Sequence, residues 1–433
     1  MQRTRLANLL DAGHPMVKLA RGIDWHGFDE HFGTYYSRGK GRPAISRRLM
    51  VSLHYLKYTH DLSDEAVLRG WVENPYWQYL SGMEFFCHEA PIDPSSMSRW
   101  RRRVGEAGAG ELLKETIECG LKLKIIKPSE LRRVNVDTTV QEKHVRFPTD
   151  ARLYERMRQR LVAAAREEGV ALRQSYVRVG KRLLAQQSRY AHAKQFRRAR
   201  RCTRKLRTIL GRVIRDIERK LPDPGERLAD LLALANRLHR QERHEKGKLY
   251  SVHAPEVECI SKGKAHKRYE FGCKVALAIT SKGGWVWRRA LWRATPTTAT
   301  PSEAPWTGSS RRTGPNPSVY CDMNYRGHDY EGECEIHVGR RRRGSIAKSV
   351  WRWMRRRAAI EPSIGHLKEE RRMERCRLKG TEGDKVNAIL SAAAMNFSKL
   401  LAALGASLSF LLARLVARFA PHSPRRTPAP AAE

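Results

Sequence analysis

The sequence predicts an α+β fold, in which a helical N-terminal domain is followed by a mixed domain with a long, basic helical insertion. Three observations lead to this prediction. Residues 15–120 show helical periodicity and caps, short β-branched runs precede Asp137 and Asp322, and residues 151–220 are dominated by helix formers. With 433 residues, 41% of them hydrophobic, the chain can build two or three domains with real cores.

The charge balance predicts a polyanionic partner. The chain has 84 Lys and Arg against 45 Asp and Glu, a net charge of +39, which favours nucleic acid. Ten Trp argue for a folded enzyme rather than a core-poor basic protein. The eight Cys form no Cys-x-x-Cys pair, so no zinc site is predicted, and free thiols in a reducing cytoplasm are expected.

Neither end of the chain suggests a membrane protein. The first residues do not have the pattern of a signal peptide. The apolar run from Leu400 to Ala413 is too short to span a bilayer, and Arg414 and Arg418 follow it. We therefore interpret that run as a packing helix, and expect no membrane association.

The N-terminal region, residues 1–120, is interpreted as a helical DNA-binding domain. A helix is predicted to begin after Ser63, a good N-cap, and Pro91 and Pro94 interrupt the pattern. A basic helix then restarts with Ser95 or Ser96 as its cap, so that the whole resembles a helix-turn-helix module. Its arginines are predicted to face DNA phosphates or base edges, and a solvated basic helix face is the alternative: Arg99, Arg101, Arg102 and Arg103.

The rest of the chain alternates strands and helices. We assign residues 121–150 to the first part of a core with a strand over 130–145, and 247–400 to its remainder, with strands over 248–260 and 269–280. Residues 151–246 form the insertion, in which the window 151–220 holds 22 Lys and Arg against 5 Asp and Glu. Its helices are predicted to be amphipathic with a basic outer face. Residues 401–433 are predicted to be a C-terminal helix and a disordered tail.

Three acidic residues stand out because of their surroundings. Asp137 and Asp322 each follow a short β-branched run, and Glu361 lies in a basic helical stretch. Two carboxylates at strand ends and one on a helix suit a site for hard cations such as Mg²⁺, which prefer oxygen ligands. A pair of such cations stabilises both the attacking and the leaving oxygen at a phosphodiester. We therefore predict that the three carboxylates converge.

Several segments resemble the DDE transposases of bacterial insertion sequences, in particular the insertion sequence 5 family of the insertion sequence 4-like group. The resemblance covers about residues 15–400, and its N-terminal block is most specific in WVENPYWQYLSGMEFFCH. The segments VNVDTTVQEKHVRFPTDARL and RRRAAIEPSIGHLKEE resemble the regions of the family's first catalytic Asp and of its catalytic Glu. The family pattern around its catalytic Glu is Tyr, two residues, Arg, three residues, Glu, six residues, Lys. Arg357, Glu361 and Lys368 keep that spacing, whereas Met354 replaces the Tyr.

The resemblance implies a transposase with an RNase H-like catalytic core. Asp137, Asp322 and Glu361 would be its catalytic residues and the ligands of two divalent metal ions, Mg²⁺ with Mn²⁺ as a substitute. Arg357 and Lys368 would share one helix face with Glu361 and grip DNA phosphates, with an Arg357–Glu361 salt bridge as the alternative.

The same resemblance implies the partners and the place of action. The partners would be the terminal inverted repeats of the element and the target DNA. A homo-oligomer would bind this DNA at the nucleoid, in the bacterial cytoplasm. The competing functional hypothesis is a relic that still binds DNA but no longer cuts it. An RNA-binding protein would explain the charge but not the three carboxylates.

Residues 285–312 depart from the family. The stretch ATPTTATPS can be encoded by DNA that reads Gly-Asn-Pro-Tyr-Asp-Gly-His-Thr-Leu, a family motif, when the frame starts one base earlier. We interpret the region as lying between two compensating frame slips, near 285–293 and 310–313, and a lineage-specific loop is the alternative. Out-of-frame residues would pack poorly, so we expect exposed or loosely packed tryptophans in this region: Trp285, Trp287, Trp292 and Trp306.

Overall fold

A mixed β-sheet and the helices around it organise the chain in the computed structural model, which describes residues 4–36, 44–242, 244–261, 268–287, 318–323, 334–339 and 344–405. The helices before the sheet are α1 (Leu6–Leu9), α2 (Pro15–Gly22), α3 (Trp25–Gly33), α4 (Arg47–Thr59), α5 (Asp64–Glu73), α6 (Pro75–Leu80) and α7 (Pro94–Lys122). The later helices are α8 (Asp150–Glu167), α9 (Val177–His192), α10 (Phe196–Lys220), α11 (Glu226–Arg240), α12 (Lys348–Arg356), α13 (Ile360–Glu370) and α14 (Gly380–Leu404). The strands are β1 (Arg133–Lys143), β2 (Glu258–Ser261), β3 (Tyr269–Thr280), β4 (Ser318–Cys321), β5 (Glu335–Val338) and β6 (Arg375–Cys376).

Capping residues define the helices around the predicted helix-turn-helix. The Ser63 hydroxyl accepts the Ala66 N–H at 3.1 Å and begins α5 as predicted. Asp93, not Ser95 or Ser96, caps α7, because its carboxylate accepts the Ser95 N–H at 2.9 Å and Pro94 occupies the first helical position. The predicted helix after Ser63 is divided, since the Asn74 side chain caps a new helix, α6.

The sheet has the strand order β2-β3-β1-β4-β5, and β6 pairs with one end of β1. β1 is antiparallel to β3 and parallel to β4, and β4 is parallel to β5. The predicted strands over 130–145 and 269–280 correspond to β1 and β3. The predicted strand over 248–260 was largely wrong, because Leu249 and Val252 are buried in the helical insertion and only 258–261 join the sheet.

The N-terminal helices and the sheet share one hydrophobic core rather than two. α14 lies at its centre and packs against α2, α4 and α7. The rings of Tyr55 and Phe397 stack at 4.7 Å, and the Tyr58 hydroxyl donates to the Asn387 side chain at 3.1 Å. The predicted N-terminal domain therefore shares its interior with the sheet, and α14 packs against its helices.

One described helix, α14, is long and apolar enough to cross a membrane by length and composition alone. However, 78% of its apolar window is buried inside the protein. Ala393 and Phe397 are completely buried, and the helix supplies much of the core described above. Its apolar composition is accounted for by this packing.

The insertion has a hydrophobic core of its own, built by α8–α11. α10 has the predicted amphipathic pattern, since Leu206, Leu210, Val213 and Ile217 are buried. The predicted basic residues of α10 lie on its exposed side: Lys205, Arg207, Arg212, Arg215, Arg219 and Lys220. The insertion is thus a helical unit with a basic surface.

The start of the atypical stretch is well packed, contrary to our expectation for Trp285 and Trp287. Their exposed fractions are 6% and 8%, and that of Val286 is 1%. The Trp287 N–H donates to the Ala278 carbonyl at 2.8 Å, and the Asn396 amide bonds both the N–H and the carbonyl of Val286. Residues 285–287 therefore extend the sheet beside β3. Trp292 and Trp306 lie outside the described residues.

Candidate functional site

Two neighbouring strands bring Asp137 and Asp322 together. In the parallel pair β1–β4, Val136 lies opposite Cys321, and each aspartate is the next residue along its strand direction. Neighbouring strands lie about 4.8 Å apart, so equivalent side chains of the two strands adjoin. Asp137 lies within β1, whereas Asp322 directly follows β4. The structure therefore places these two predicted carboxylates side by side.

Both carboxylates are oriented by their own backbone. Asp137 Oδ1 accepts the Thr138 N–H at 2.7 Å, and Asp322 Oδ1 accepts the Met323 N–H at 2.6 Å. Each bond restricts the side-chain torsions of the aspartate. The two strands thus present their carboxylates in the same local arrangement.

Arg357 supplies positive charge to this pair. Its Nη1 lies 3.0 Å from Asp137 Oδ2, and its Nη2 lies 3.9 Å from Asp322 Oδ1. Two adjacent carboxylates repel one another, and a guanidinium between them offsets that repulsion. The alternative of a salt bridge between Arg357 and Glu361 is replaced in this structure by the pairing with the two aspartates.

Glu361 lies in the first turn of α13, which packs against β1. Ile360, Ser363 and Leu367 face the interior, whereas the Glu361 side chain is exposed. Among the described residues, no three His, Cys, Asp or Glu side chains are grouped closely enough to hold a metal ion. The structure thus brings two of the three predicted carboxylates together and leaves the third on the adjoining helix.

The predicted common helix face for Arg357, Glu361 and Lys368 is correct only in part. Glu361 and Lys368 are seven residues apart on α13 and share a face of that helix. Arg357 belongs to a 3₁₀ turn, Arg357–Ala359, between α12 and α13. The tighter turn changes the angular relation between Arg357 and α13, and the guanidinium reaches the aspartates instead.

The donor set fits a hard divalent cation. Asp137 and Asp322 offer carboxylate oxygens, which Mg²⁺ and Mn²⁺ accept as ligands. Burial raises the pKa of the neighbouring Cys321 thiol to about 12. The two aspartates themselves are oxygen donors, so a site at this position suits oxygen-preferring metals.

The basic segment at the start of α7 presents three of its four predicted arginines to solvent: Arg99, Arg102 and Arg103. The Arg103 guanidinium lies over the Tyr36 ring, 4.7 Å from its centre. Gly105, with φ of 57°, bends α7 just after this segment, in a conformation that favours glycine. The bend separates the basic first part of α7 from the part that packs on α14.

Arg101 differs from its neighbours, and the prediction that it faces DNA does not fit its position. Its exposed fraction is 5%, and its two terminal nitrogens donate to both carboxylate oxygens of Asp64 at 2.8 and 2.6 Å. Lys57 donates to the same carboxylate at 2.6 Å, and Arg101 also bonds His54 at 3.3 Å. Arg101 therefore holds α7 to α4 and α5 from inside the protein.

The charge state of His54 follows from these contacts. An arginine can only donate, so His54 Nε2 accepts from Arg101 and Nδ1 carries the proton that is donated to the Met50 carbonyl at 2.7 Å. Burial, followed by the charge of Arg101, lowers the pKa of His54 to about 3. His54 is therefore neutral in the folded protein at neutral pH.

Acid is expected to destabilise this region through His54. In the unfolded chain the imidazole takes up a proton near its ordinary pKa of about 6.5, whereas the folded protein resists protonation. The stabilising contribution is complete above pH 6.5 and is lost as the pH falls toward about 3. Urea midpoints measured at several pH values for the wild type and His54→Gln test this expectation. If the urea midpoint fell equally with decreasing pH in the two proteins, the expectation would be contradicted.

Sequence reasoning missed the buried cluster of His54, Lys57, Asp64 and Arg101, although a signal was present. Met97, Trp100, Arg101 and Val104 are buried and follow helical spacing, which places Arg101 on the apolar face of α7. Asp64 directly follows the predicted N-cap Ser63, so its local context indicates only the first turn of a helix. Nothing local in the sequence shows that its partners are Arg101 and Lys57.

Comparisons with known proteins match two segments of the chain to families described as transposase domains. Residues 4–103 match the family described as a transposase domain (DUF772), and residues 325–401 match the family described as a transposase DDE domain. The second match includes Glu361, Arg357 and Lys368 and begins just after Asp322.

A curated relative covers part of the chain. The uncharacterized protein ORF8 in the nfe locus of Rhizobium meliloti is 54% identical over 194 residues, which are 45% of this chain and 93% of that protein. No solved structure matches the chain.

Proposed function

Because two segments of the chain match a transposase domain and a transposase DDE domain, we propose that it is a DDE transposase that binds the ends of an insertion sequence and catalyses metal-dependent cleavage and transfer of DNA strands. The observation that carries the proposal is the adjacency of Asp137 and Asp322 on parallel strands, with the family's Arg and Glu positions on the next helical segment. The mixed sheet, antiparallel on one side of β1 and parallel on the other, supports an RNase H-like core. The insertion sequence 5 family is the subgroup that we propose.

In this proposal Asp137 and Asp322 would hold the divalent cations, and Glu361 would be the third catalytic carboxylate. A bound pair of Mg²⁺ ions supplies activation of water and stabilisation of the attacking and leaving oxygens. The backbone bonds of the two aspartates keep their oxygens oriented. Arg357 neutralises the aspartates in the arrangement described here, and its positive charge is available to DNA phosphates beside them. Lys368 would contact phosphates from the same side as Glu361.

Basic surfaces away from the carboxylates would bind the DNA backbone electrostatically. The exposed basic side of α10 and the arginines at the start of α7 are the surfaces that we propose for contact with the phosphate backbone. Arg99, Arg102 and Arg103 remain proposed DNA contacts, whereas Arg101 is better explained as an interior residue. We also propose a homo-oligomer on the DNA, acting in the bacterial cytoplasm at the nucleoid, with no membrane role.

Strand cleavage tests this function. The full-length protein is incubated with duplex DNA that carries the ends of its own element, with Mg²⁺ or with EDTA. Cleavage at the element ends that requires the metal is the expected result. DNA binding without any cleavage would favour the second candidate, a relic that only binds DNA.

Both candidates predict electrostatic binding, with a log–log salt slope of about −0.9 per phosphate neutralised. Binding that does not respond to salt would contradict both of them.

The frame hypothesis now applies only beyond Trp287, since residues 285–287 are packed into the sheet. It is the specific reason to consider the relic, because a shifted segment would leave the strand that carries Asp322 without its normal support. The DNA sequence over codons 294–302 tests it directly. Codons that cannot encode Gly-Asn-Pro-Tyr-Asp-Gly-His-Thr-Leu in the neighbouring frame would exclude the hypothesis.

A further inference from the structure

A cavity of about 560 Å³ lies where the insertion joins the sheet, and neither proposed DNA contact region includes it. We call it the junction cavity. It is lined by residues 144–148, which follow β1, by one side of α8, and by residues 250–253, which return from the insertion. Its size falls within the range of about 300–1,000 Å³ that is usual for small-ligand sites.

One wall of the junction cavity is aromatic. Phe147 is 62% exposed, although its ring makes an edge contact with Phe271 at 5.4 Å. Tyr250, also in the cavity lining, lies 5.5 Å from the same Phe271 ring. Phe271 thus supports both rings, and Phe147 has a large area left over for stacking with another flat group.

The other walls carry unbalanced positive charge. Arg146, Arg152 and Arg156 line the cavity, are exposed, and form no ion pair with any described carboxylate. The acidic residue of the lining, Glu155, is buried and is neutralised by Arg158, which bonds both of its oxygens at 2.6 and 2.8 Å. The cavity therefore combines an exposed ring with three cations whose charge is not offset.

From this combination we propose that the junction cavity binds an unpaired nucleotide of a DNA strand. The base would stack on Phe147, and Arg152 and Arg156 would contact its phosphates. Aromatic rings beside basic side chains are how proteins hold single strands without reading their sequence. A base within a duplex is already stacked on its neighbours, so the site selects an unpaired one.

The position of the cavity relates it to the carboxylate pair. β1 contains Asp137 and runs directly into the cavity lining at His144. At about 3.3 Å per residue, the seven residue steps from Asp137 to His144 span about 23 Å of strand. The two sites are thus connected by one rigid element, and a strand held in the cavity would be kept at a defined distance from the carboxylates. The inference adds to the proposed function, but the binding it predicts does not depend on cleavage.

The experiment measures binding without metal and without cleavage. Fluorescence anisotropy gives the affinity of the full-length protein for a labelled oligothymidine strand and for a labelled duplex, and a 2-aminopurine in the strand reports stacking. Phe147→Ala is expected to weaken single-strand binding about 10-fold or more, given ~1–3 kcal/mol per stacked base, and to leave duplex binding unchanged. Phe147→Trp should retain both the affinity and the 2-aminopurine signal.

Phe196→Ala is the matched control, because Phe196 is 58% exposed on the same insertion and is not part of the cavity lining. It should bind the single strand as the wild type does. Equal losses in the two alanine variants, an equal loss for duplex DNA, or no single-strand binding by the wild type would overturn the proposal. Thymidine monophosphate that binds as tightly as the strand would also overturn it, since the ligand would then be a free nucleotide. Cleavage results do not enter any of these outcomes.

Discussion

Asp137→Asn is expected to reduce strand cleavage about 1,000-fold or more, which corresponds to ~4 kcal/mol of transition-state stabilisation. The substitution preserves the size of the side chain but removes the negative charge that a divalent cation needs. It also leaves Arg357 beside Asp322 with less negative charge to balance. Single-turnover cleavage of end-containing DNA at saturating Mg²⁺ measures the effect.

DNA binding separates this effect from a general loss of structure. The basic surfaces of α7 and α10 do not include Asp137, so affinity for the same DNA should be almost unchanged. Asp223→Asn, at an exposed position between α10 and α11, removes the same charge as a control and should cleave like the wild type. Normal cleavage by Asp137→Asn would refute the assignment of this residue.

The second large effect is expected for stability. Asp64→Asn should lower the free energy of unfolding by about 3–5 kcal/mol, because Lys57 and Arg101 would remain buried with their main counter-charge removed. Their side chains are 7% and 5% exposed, and that of Asp64 is 14% exposed. Burial alone would raise the pKa of Asp64, but hydrogen bonds from Arg101 and the charge of Lys57 hold it well below its usual range. Urea unfolding at pH 7 provides the measurement.

Asp61→Asn is the matched comparison, because Asp61 forms an ion pair with Arg372 but is 56% exposed. Exposed pairs contribute about 0–1 kcal/mol, so this variant should unfold close to the wild type. A similar decrease in the free energy of unfolding in both variants would show that the burial of Asp64 does not increase its contribution to stability. The outcome bears on DNA binding too, since the cluster sets the position of α7.

The sequence was sufficient to predict elements whose signals are local. β3 coincides with the predicted strand, β1 contains Asp137 as expected, and α10 buries the predicted apolar positions. The adjacency of Asp137 and Asp322 was predicted from their strand contexts and the family resemblance, although Asp137 lies within β1 and not at its end. Arg357 could be assigned to the site from its spacing to Glu361, but its pairing with Asp137 depends on a 3₁₀ turn that spacing alone does not reveal.

Contacts between distant parts of the chain could not be predicted from local sequence patterns. Tyr58 bonds Asn387 across 329 residues, and this packing joins the N-terminal helices to the sheet in one core. Local patterns describe each helix but not which helices share an interior. The packing of residues 285–287 has the same origin, because Asn396, in the last described helix, bonds the backbone N–H and carbonyl of Val286.

The separate core of the insertion has a consequence for how the chain folds. β1 and β3 pair across a long stretch of sequence, and Gln141 contacts Cys273 over 132 residues. Closing so long a loop costs conformational entropy and slows folding. Asp150 and Lys248, at the two ends of the insertion, form an ion pair at 3.7 Å, so a preformed insertion brings its own ends together. The insertion thereby shortens the effective loop between β1 and β3, so that the two strands pair at a lower cost in conformational entropy.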